Sequence, residues 1–320
     1  MKFLTWLSRV LVGATFVFSG FVKLVDPIGS QYKFEEYFSE DVLNLEFLIP
    51  YALPFSIMLI LVEIMLGIML LVGYLSKTTS KGIFFMMLVF LFLTWYSAYY
   101  NKVTDCGCFG DAIKLSSWET FYKNIVLIVL AVLLLANNNY IKPLFSNKFA
   151  ATSSFLSLIV FSGIVYHVIT HLPIIDFRAY AVGNNIKEQM MIVDGEDPKI
   201  TDFSLMNQNL NEVMSEVLGK EKVLFVVMYD LEKSDKNGFE KIQEISNMAI
   251  EKGYSVYLLT SSMLKDFTKV KRKYQLNIEP LFADGTVLKT MIRANPGLMV
   301  LSNGTITGKA NWRDAEKLGL

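Results

Sequence analysis

The chain is poor in thiols and imidazoles and has no excess of charge of either sign. Its 320 residues include two cysteines and two histidines, and 30 basic residues balance 30 acidic ones. The zero net charge argues against nucleic-acid binding. No phosphate-binding loop, nucleophile triad, complete metal site or third thiol is present. What is abundant is apolar residues, at 53%, which is too many for an ordinary cytosolic domain.

Long apolar runs occupy the first half of the chain and stop near Pro173, after which charged and apolar residues mix as in a water-soluble domain. A membrane crossing needs about 20 mostly apolar residues to span about 30 Å of hydrocarbon. Five transmembrane helices are therefore predicted. The first is expected to be retained, because no small-residue cleavage site follows it. The predicted helices cover residues 4–25, 54–74, 82–100, 121–136 and 154–172.

Lysine and arginine in short loops predict the orientation of these helices. The connection at 26–46 is acidic, whereas the N-terminus and two other connections are basic. Five helices that start inside would place the loop at 105–117 and everything after residue 172 outside. We therefore expect a multi-pass protein of the bacterial inner membrane, with its N-terminus in the cytoplasm and its C-terminal domain in the periplasm. The basic residues that set this orientation are Lys2, Arg9, Lys77, Lys81, Lys142 and Lys148.

Both cysteines lie in one short motif, Cys-Gly-Cys-Phe-Gly at 106–110. An outward-facing loop is an oxidising environment. A disulfide between Cys106 and Cys108 would close a very small, strained ring, which Gly107 makes feasible. Strained, exposed disulfides are the labile and catalytic ones. Three interpretations stay open: a redox-active pair, a structural bridge in a tight turn, and capture of a soft metal such as Cu(I).

Other polar residues near the apolar runs are weaker candidates. Glu63 lies inside the second run, where an ionisable side chain is a candidate for proton or quinone chemistry. It could equally be a neutral acid that bonds two helices, or lie nearer the interface. Lys23 and Asp26 are expected near the outer end of the first helix, where snorkelling and interface pairing explain them. His167 and His171, spaced i and i+4, would share a helix face as metal ligands or would simply meet the interface.

Two segments carry a family resemblance. The first runs from Arg9 to Pro27, with Ser-Gly-Phe-Val-Lys-Leu at 19–24, and looks like the first helix of DoxX-type membrane proteins. The second is Asp-Cys-Gly-Cys-Phe-Gly-Asp at 105–111, and it resembles the MauE-like branch of that superfamily. The likeness covers about the first 140 residues, and the longer chain resembles an extended form found in Bacteroidetes. Leu115, Trp118 and Asn124 continue the second motif.

The resemblance implies a four-helix DoxX-like membrane bundle over 1–140, with a linker and a fifth transmembrane helix over 141–175. The superfamily is linked to thiol or sulfur redox chemistry and to maturation of periplasmic proteins. It therefore implies a redox-accessory role for Cys106 and Cys108, and it implies no known substrate. Apart from the resemblance, a periplasmic thiol protein is an open choice of partner and a quinone an open choice of cofactor. The flanking Asp105 and Asp111 would disfavour thiolates unless a cation such as Lys114 offsets them.

The C-terminal part, 176–320, has its own fold signal. Apolar, β-branched runs at 222–229 and 255–260 flank a helical pattern at 239–252, which predicts a right-handed βαβ unit. A helix at 262–274, a strand at 280–283, a helix at 287–292 and a hairpin through Asn303-Gly304 follow. This order, with Pro296 before the hairpin, resembles the thioredoxin-like α/β fold. Where a thioredoxin has its cysteines, residues 229–234 contain no thiol, so a redox-inactive domain is predicted.

Two functions follow from this sequence. The first is a thiol–disulfide oxidoreductase component of the lipid bilayer that acts on periplasmic partners through Cys106 and Cys108. The second is a non-enzymatic membrane scaffold or binding protein, in which the same loop is a structural staple.

Overall fold

The protein, described by a computed structural model, divides into two compact units. The first is Met1–Ile169, here the bundle, and the second is Thr170–Leu320, here the C-terminal unit. The structure describes residues 1–103, 107, 109–113, 115–192, 195, 197–276 and 278–320. Cys106 and Cys108 lie outside the described residues.

Within the described residues, five helices are long and apolar enough to cross a membrane, which confirms the five predicted spans. The helix after the cysteine loop begins earlier than predicted. It does so because Ser116 and Glu119 form a reciprocal capping box. The helices of the bundle are α1 Lys2–Val25, α2 Pro27–Phe38, α3 Ala52–Val72, α4 Ser76–Tyr100, α5 Ser117–Ala136 and α6 Asn147–Thr170, with 3-10 turns at Glu46–Tyr51 and Asn138–Tyr140.

Helix α2 was not predicted, because its sequence is acidic and only weakly apolar. Asp26 begins it by accepting a hydrogen bond from the Gly29 amide at 3.0 Å, and Pro27 occupies its first turn. The helix packs on α3, where the Ser56 hydroxyl donates to the Pro27 carbonyl at 2.8 Å. The bundle thus continues beyond the end of α1.

Helices α1 and α3 pack very closely. A Cβ added at Gly20 would lie 2.7 Å from Ile64 Cβ, so no larger residue fits there without a shift of the helices. At the other end of the pair, Arg9 donates to the carbonyls of Leu70 at 2.8 Å and Leu71 at 2.6 Å. These carbonyls lie in the last turn of α3, where the Leu70 carbonyl also accepts from the Gly73 amide at 3.2 Å. Arg9 therefore fixes the end of α3.

The C-terminal unit has a five-stranded sheet of order β3-β2-β1-β4-β5. The first three strands are parallel, and β4 and β5 run antiparallel to β1 and β4, respectively. Every residue of β1 is buried, with apolar clusters on both faces of the sheet. The strands are β1 Val223–Val227, β2 Ser255–Thr260, β3 Glu279–Phe282, β4 Gly297–Ser302 and β5 Thr305–Asn311.

The three helices after β1 follow the predicted order, the two short helices before it were not predicted, and the peptide bond between Asn295 and Pro296 is cis. Parallel β1-α-β2, a third parallel strand and a terminal antiparallel hairpin after a cis-proline constitute a thioredoxin-like fold. That prediction is confirmed. The helices are α7 Ile186–Gln189, α8 Met214–Leu218, α9 Phe239–Glu251, α10 Leu264–Tyr274 and α11 Gly285–Met291, with 3-10 turns at Lys236–Gly238 and Trp312–Leu318.

Candidate functional site

A buried ion pair joins α1 to α3. The Lys23 ammonium lies 2.9 and 3.1 Å from the two carboxylate oxygens of Glu63, and both residues are buried, at 6% and 1% exposure. Ser19, one turn before Lys23 on α1, accepts a third hydrogen bond from the ammonium at 2.7 Å. Glu63 is thus an acid with a cationic partner at membrane depth, which is where ionisable residues pair or function.

The prediction that Lys23 snorkels at the end of its helix is wrong. Because α2 continues past the end of α1 and packs on α3, Lys23 lies within the bundle and turns inward to Glu63. Asp26, by contrast, caps α2. The sequence signal that could have revealed the pair is the rarity of charge at membrane depth: an apolar helix with a lysine needs an acid on a neighbour.

A small cavity of about 60 Å³ lies beside this pair. Its volume holds about two water molecules at about 30 Å³ each. Lys23 forms part of its wall, and so does Gly107, the residue between the two cysteines. The remaining wall is aromatic and aliphatic with a few hydroxyl groups, and comprises Ser30, Lys33, Phe34, Tyr37, Leu59, Phe90, Leu93 and Thr94.

The described part of the cysteine loop packs on the bundle. The Phe109 ring lies 5.5 Å from the Phe18 ring of α1, and the Lys123 ammonium of α5 lies 4.0 Å from its centroid. A Cβ added at Gly107 would lie 3.0 Å from Lys33 Cγ, so the α2 lysine runs against the loop backbone.

Two lysines that sequence reasoning missed, Lys33 and Lys123, therefore contact the loop. Lys114, the cation expected to offset Asp105 and Asp111, lies outside the described residues, as do Cys106 and Cys108. Lys33 and Lys123 could not have been found from spacing, because each comes from a different helix.

The predicted histidine pair does not share a helix face. Helix α6 ends at Thr170, so His167 belongs to the helix, where it is exposed, and His171 lies beyond its end. His171 Nδ1 lies 2.5 Å from Asp314 Oδ2 within the C-terminal unit. Across the described residues, no group of three or more histidine, cysteine or acidic side chains is arranged to hold a metal ion.

In the C-terminal unit, the position of thioredoxin's thiols is occupied by a closed hydrogen-bond network. The buried Ser234 hydroxyl lies 2.8 Å from both the Asp230 carbonyl and Asn295 Oδ1. The Asn295 amide also donates to the Asp230 carbonyl at 2.8 Å. The loop after β1 is thereby bonded to the residue of the cis peptide before Pro296. This network positions the loop and provides no nucleophilic sulfur.

A second buried ionic cluster connects the segment before the sheet to β5. Asp176 lies 2.6 Å from the Lys309 ammonium and 2.7 Å from Arg178 Nε. Burial and the nearby Arg178 lower the pKa of Lys309 to about 8, against the opposing effect of Asp176. Burial alone would raise the pKa of Asp176, but the two cations outweigh it and hold that pKa below its ordinary value. Asp176 therefore stays ionised between two cations.

Comparison with known proteins bears first on the bundle. Residues 1–137 match the family of methylamine utilisation protein MauE. This match covers less than half of the chain, and it falls within the bundle. No curated protein matches the chain.

Solved structures similar to the chain come from several bacteria. The thioredoxin domain of a thiol-disulfide oxidoreductase from Bacteroides vulgatus is 15% identical, with 43% of this chain and 97% of that chain covered and a TM-score of 0.31. A thiol:disulfide interchange protein from Bacteroides sp. is 16% identical, with 33% and 74% covered and a TM-score of 0.28. A thioredoxin-like protein from Bacteroides caccae is 12% identical, with 88% and 86% covered and a TM-score of 0.29.

Proposed function

We propose that the chain is the membrane component of a thiol–disulfide exchange system, with Cys106 and Cys108 as the redox pair. The observation that supports this most is the shared cavity. Gly107, which separates the two cysteines in sequence, lines the same small cavity as Lys23, whose ammonium is bonded to Glu63. A loop with two thiols thereby adjoins a buried acid–base pair, and the MauE-like match covers both.

The proposed reaction is an exchange with a protein dithiol. A partner thiolate attacks the Cys106–Cys108 disulfide, one sulfur leaves, and a mixed disulfide forms. The second partner thiolate then breaks the mixed disulfide, so that the partner becomes a disulfide and the loop a dithiol. Two electrons and two protons pass from partner to loop. A second protein disulfide reverses these steps and restores the loop.

Lys23 and Glu63 are proposed to manage the proton that each leaving sulfur needs. The ammonium can pass a proton to a thiolate through water in the cavity, which leaves a neutral Lys23 amine, a neutral thiol and the carboxylate of Glu63. The proton that the partner thiol releases then restores the ammonium. Between exchange steps Glu63 neutralises Lys23, so no isolated cation is left in lipid.

The proposed location is a bacterial inner membrane, with the cysteine loop and the C-terminal unit in the periplasm. The supporting feature is the charge of the connections, which places the basic ones on the cytoplasmic side. We also propose that the bundle is related to DoxX-type membrane proteins. Partners would be periplasmic thiol proteins.

A second candidate function, that of a scaffold, rests on the network around Ser234. Because that site contains no thiol and is closed by Asn295, the C-terminal unit would act as a binding module rather than as a catalyst. If the loop is only a staple, the whole chain is a membrane-bound binding protein.

The deciding measurement is the reduction potential of Cys106 and Cys108 in native membranes, by thiol alkylation across a poised glutathione series. An exchanging pair titrates near about −200 mV. A pair that stays oxidised below about −300 mV is a structural staple and supports the scaffold instead. Cys106→Ser is the control, because it leaves one thiol that alkylates at every potential.

A further inference from the structure

One end of the bundle is basic and contains no acid. Residues 1–12, 73–82 and 137–150 meet there through the contacts of Arg9, and they include no aspartate or glutamate. We refer to these three segments as the basic end. Its cations are Lys2, Arg9, Lys77, Lys81, Lys142 and Lys148.

A cavity of about 420 Å³ opens at the basic end, between α1 and the turn after α5. This volume falls in the range of ordinary ligand sites, about 300–1,000 Å³. Among the described residues that line it are three cations and no carboxylate, so an anion entering it meets only positive charge. The lining consists of Lys2, Thr5, Trp6, Arg9, Asn139, Tyr140, Ile141 and Lys142.

The cationic wall is held in place by the fold. Arg9 is 9% exposed, and its guanidinium donates to the Leu70, Leu71 and Lys142 carbonyls. These acceptors are neutral, so they fix the guanidinium without cancelling its charge. The bond to the Lys142 carbonyl, at 3.0 Å, also brings the backbone of Lys142 to the same wall.

The rim of the cavity suits the edge of a membrane. Trp6 and Tyr140 are 56% and 46% exposed, and such rings gather where hydrocarbon meets the headgroups. Phe3, 73% exposed, stacks with Trp6 at 6.4 Å and continues the apolar surface outward. A ligand with a phosphate in the cavity and an acyl chain along Phe3 and Trp6 would satisfy both surfaces.

We propose that this cavity binds the phosphate of an anionic phospholipid headgroup. Cations at a membrane face attract anionic lipids, and guanidinium and ammonium groups form strong charge-assisted hydrogen bonds to phosphate oxygens. A soluble phosphate ester offers the same oxygens, but it would leave Trp6 and Phe3 uncovered. The lipid is therefore the ligand that the site favours. The site is independent of the chemistry at the cysteine loop.

The test is native mass spectrometry of the full chain released from vesicles of equal phosphatidylglycerol and phosphatidylcholine. We expect preferential retention of phosphatidylglycerol. The Lys2→Gln/Lys142→Gln double variant should lower that preference about 25-fold, at about fivefold for each lysine. Arg9 is left intact, because its loss would also free the end of α3.

The matched control is Lys77→Gln/Lys81→Gln, which removes two exposed charges from the basic end without touching the cavity wall. It should keep the lipid preference. An equal loss of the phosphatidylglycerol preference in both double variants would show general attraction to the membrane surface and overturn the proposed site. An unchanged preference in the Lys2→Gln/Lys142→Gln variant would overturn it too. A second arm adds inorganic phosphate: if phosphate displaces the lipid and binds with the same lysine dependence, the lipid assignment is overturned.

Discussion

Charged side chains are buried in both units, but they are balanced differently. In the bundle, one ammonium faces one carboxylate, with Lys23 and Glu63 at 6% and 1% exposure. In the C-terminal unit, one carboxylate, Asp176, faces the two cations Lys309 and Arg178. The first pair adjoins a cavity and a cysteine motif, whereas the second cluster connects two parts of the chain.

The difference reflects the surrounding solvent. In hydrocarbon an unbalanced charge is very costly, so a buried lysine there requires a full counter-charge. The other buried cation described above, Arg9, is bonded to backbone carbonyls and lies at one end of the bundle. In the C-terminal unit Asp176 is still 19% exposed, and backbone carbonyls of Tyr180 and Thr290 accept from Lys309 and Arg178, so an extra cation is tolerated. Apolar residues of similar volume would stabilise the bundle as well as a buried ion pair does. Because this pair also lies beside the cysteine motif, we infer that its role is chemical rather than stabilising.

The largest expected effect comes from breaking the balanced pair. Glu63→Leu leaves the Lys23 ammonium buried without its counter-charge, and we expect a loss of about 3–5 kcal/mol in the free energy of unfolding. Thermal denaturation of the purified chain in detergent measures it. The double variant Lys23→Met/Glu63→Leu should regain most of that stability, because it buries no charge.

The same double variant separates stability from chemistry. If the pair transfers protons, thiol–disulfide exchange at the loop stays slow in the double variant although the fold is restored. Stopped-flow measurement with a model dithiol peptide gives the rate. A rate that recovers together with stability would mean that Lys23 and Glu63 only stabilise the bundle, and the proposed proton transfer would be wrong.

The second effect comes from the unbalanced cluster. Asp176→Asn leaves Lys309 and Arg178 together without a carboxylate, and we expect a loss of about 2–3 kcal/mol at pH 7, less than in lipid because Asp176 is partly exposed. This loss is measured by denaturant unfolding of the full chain, monitored through spectroscopic signals that arise from the C-terminal unit. Glu244→Gln, which removes an exposed partner of Lys241, is the control and should leave the stability unchanged.

The pH dependence of this cluster has a definite sign. The pKa of Lys309 is lowered to about 8 from 10.5, so between these values the unfolded chain binds more protons than the folded one. Stability contributed by Lys309 therefore rises with pH across that window. The cost of Asp176→Asn should be smaller at pH 9.5 than at pH 7, because Lys309 is then largely neutral. An equal cost at both values would show that Lys309 does not titrate there.

Much of the architecture could be predicted, because it follows from signals along one segment. Five apolar runs predicted the five transmembrane helices. Short apolar strand patterns that alternate with helical patterns, together with an Asn303-Gly304 turn, predicted the sheet. Contacts between segments that are far apart in the sequence could not be predicted in this way. The pairing of Lys23 with Glu63 depends on the close approach of α1 and α3 at Gly20, which no single-helix pattern encodes.

Two local errors have physical causes. Helix α2 was missed because its apolar stripe is weak, although Asp26 and Pro27 form a recognisable cap and first turn. The shared face of His167 and His171 was wrong because apolar content does not determine where a helix stops, and α6 ends at Thr170 before the second histidine. The cap is a readable signal, whereas the hydrogen bonds that His171 makes with Asp314 and Asn311 join residues far apart in the sequence.

The smallest effect is expected where an acid–base pair is only partly buried. His171 and Asp314 have side chains 33% and 14% exposed. Burial alone would raise the pKa of Asp314, but hydrogen bonds from Lys317 and His171 outweigh it and lower that pKa. The stabilisation that these hydrogen bonds give the folded chain is therefore present at pH values above the ordinary carboxyl pKa, about 3.9. It is lost as the pH falls through the lower pKa of Asp314 in the folded chain. Asp314→Asn should cost about 0.5–1 kcal/mol at pH 7.

Acid titration of stability tests this last prediction. The chain and its Asp314→Asn variant should differ at pH 7 and converge below the folded pKa of Asp314, where the wild-type carboxyl is also neutral. A cost as large as that of Asp176→Asn would mean that partial exposure does not weaken the pair, and exposure would then fail to explain the order of the three effects. A cost in the expected range supports burial and charge balance as the two quantities that set that order.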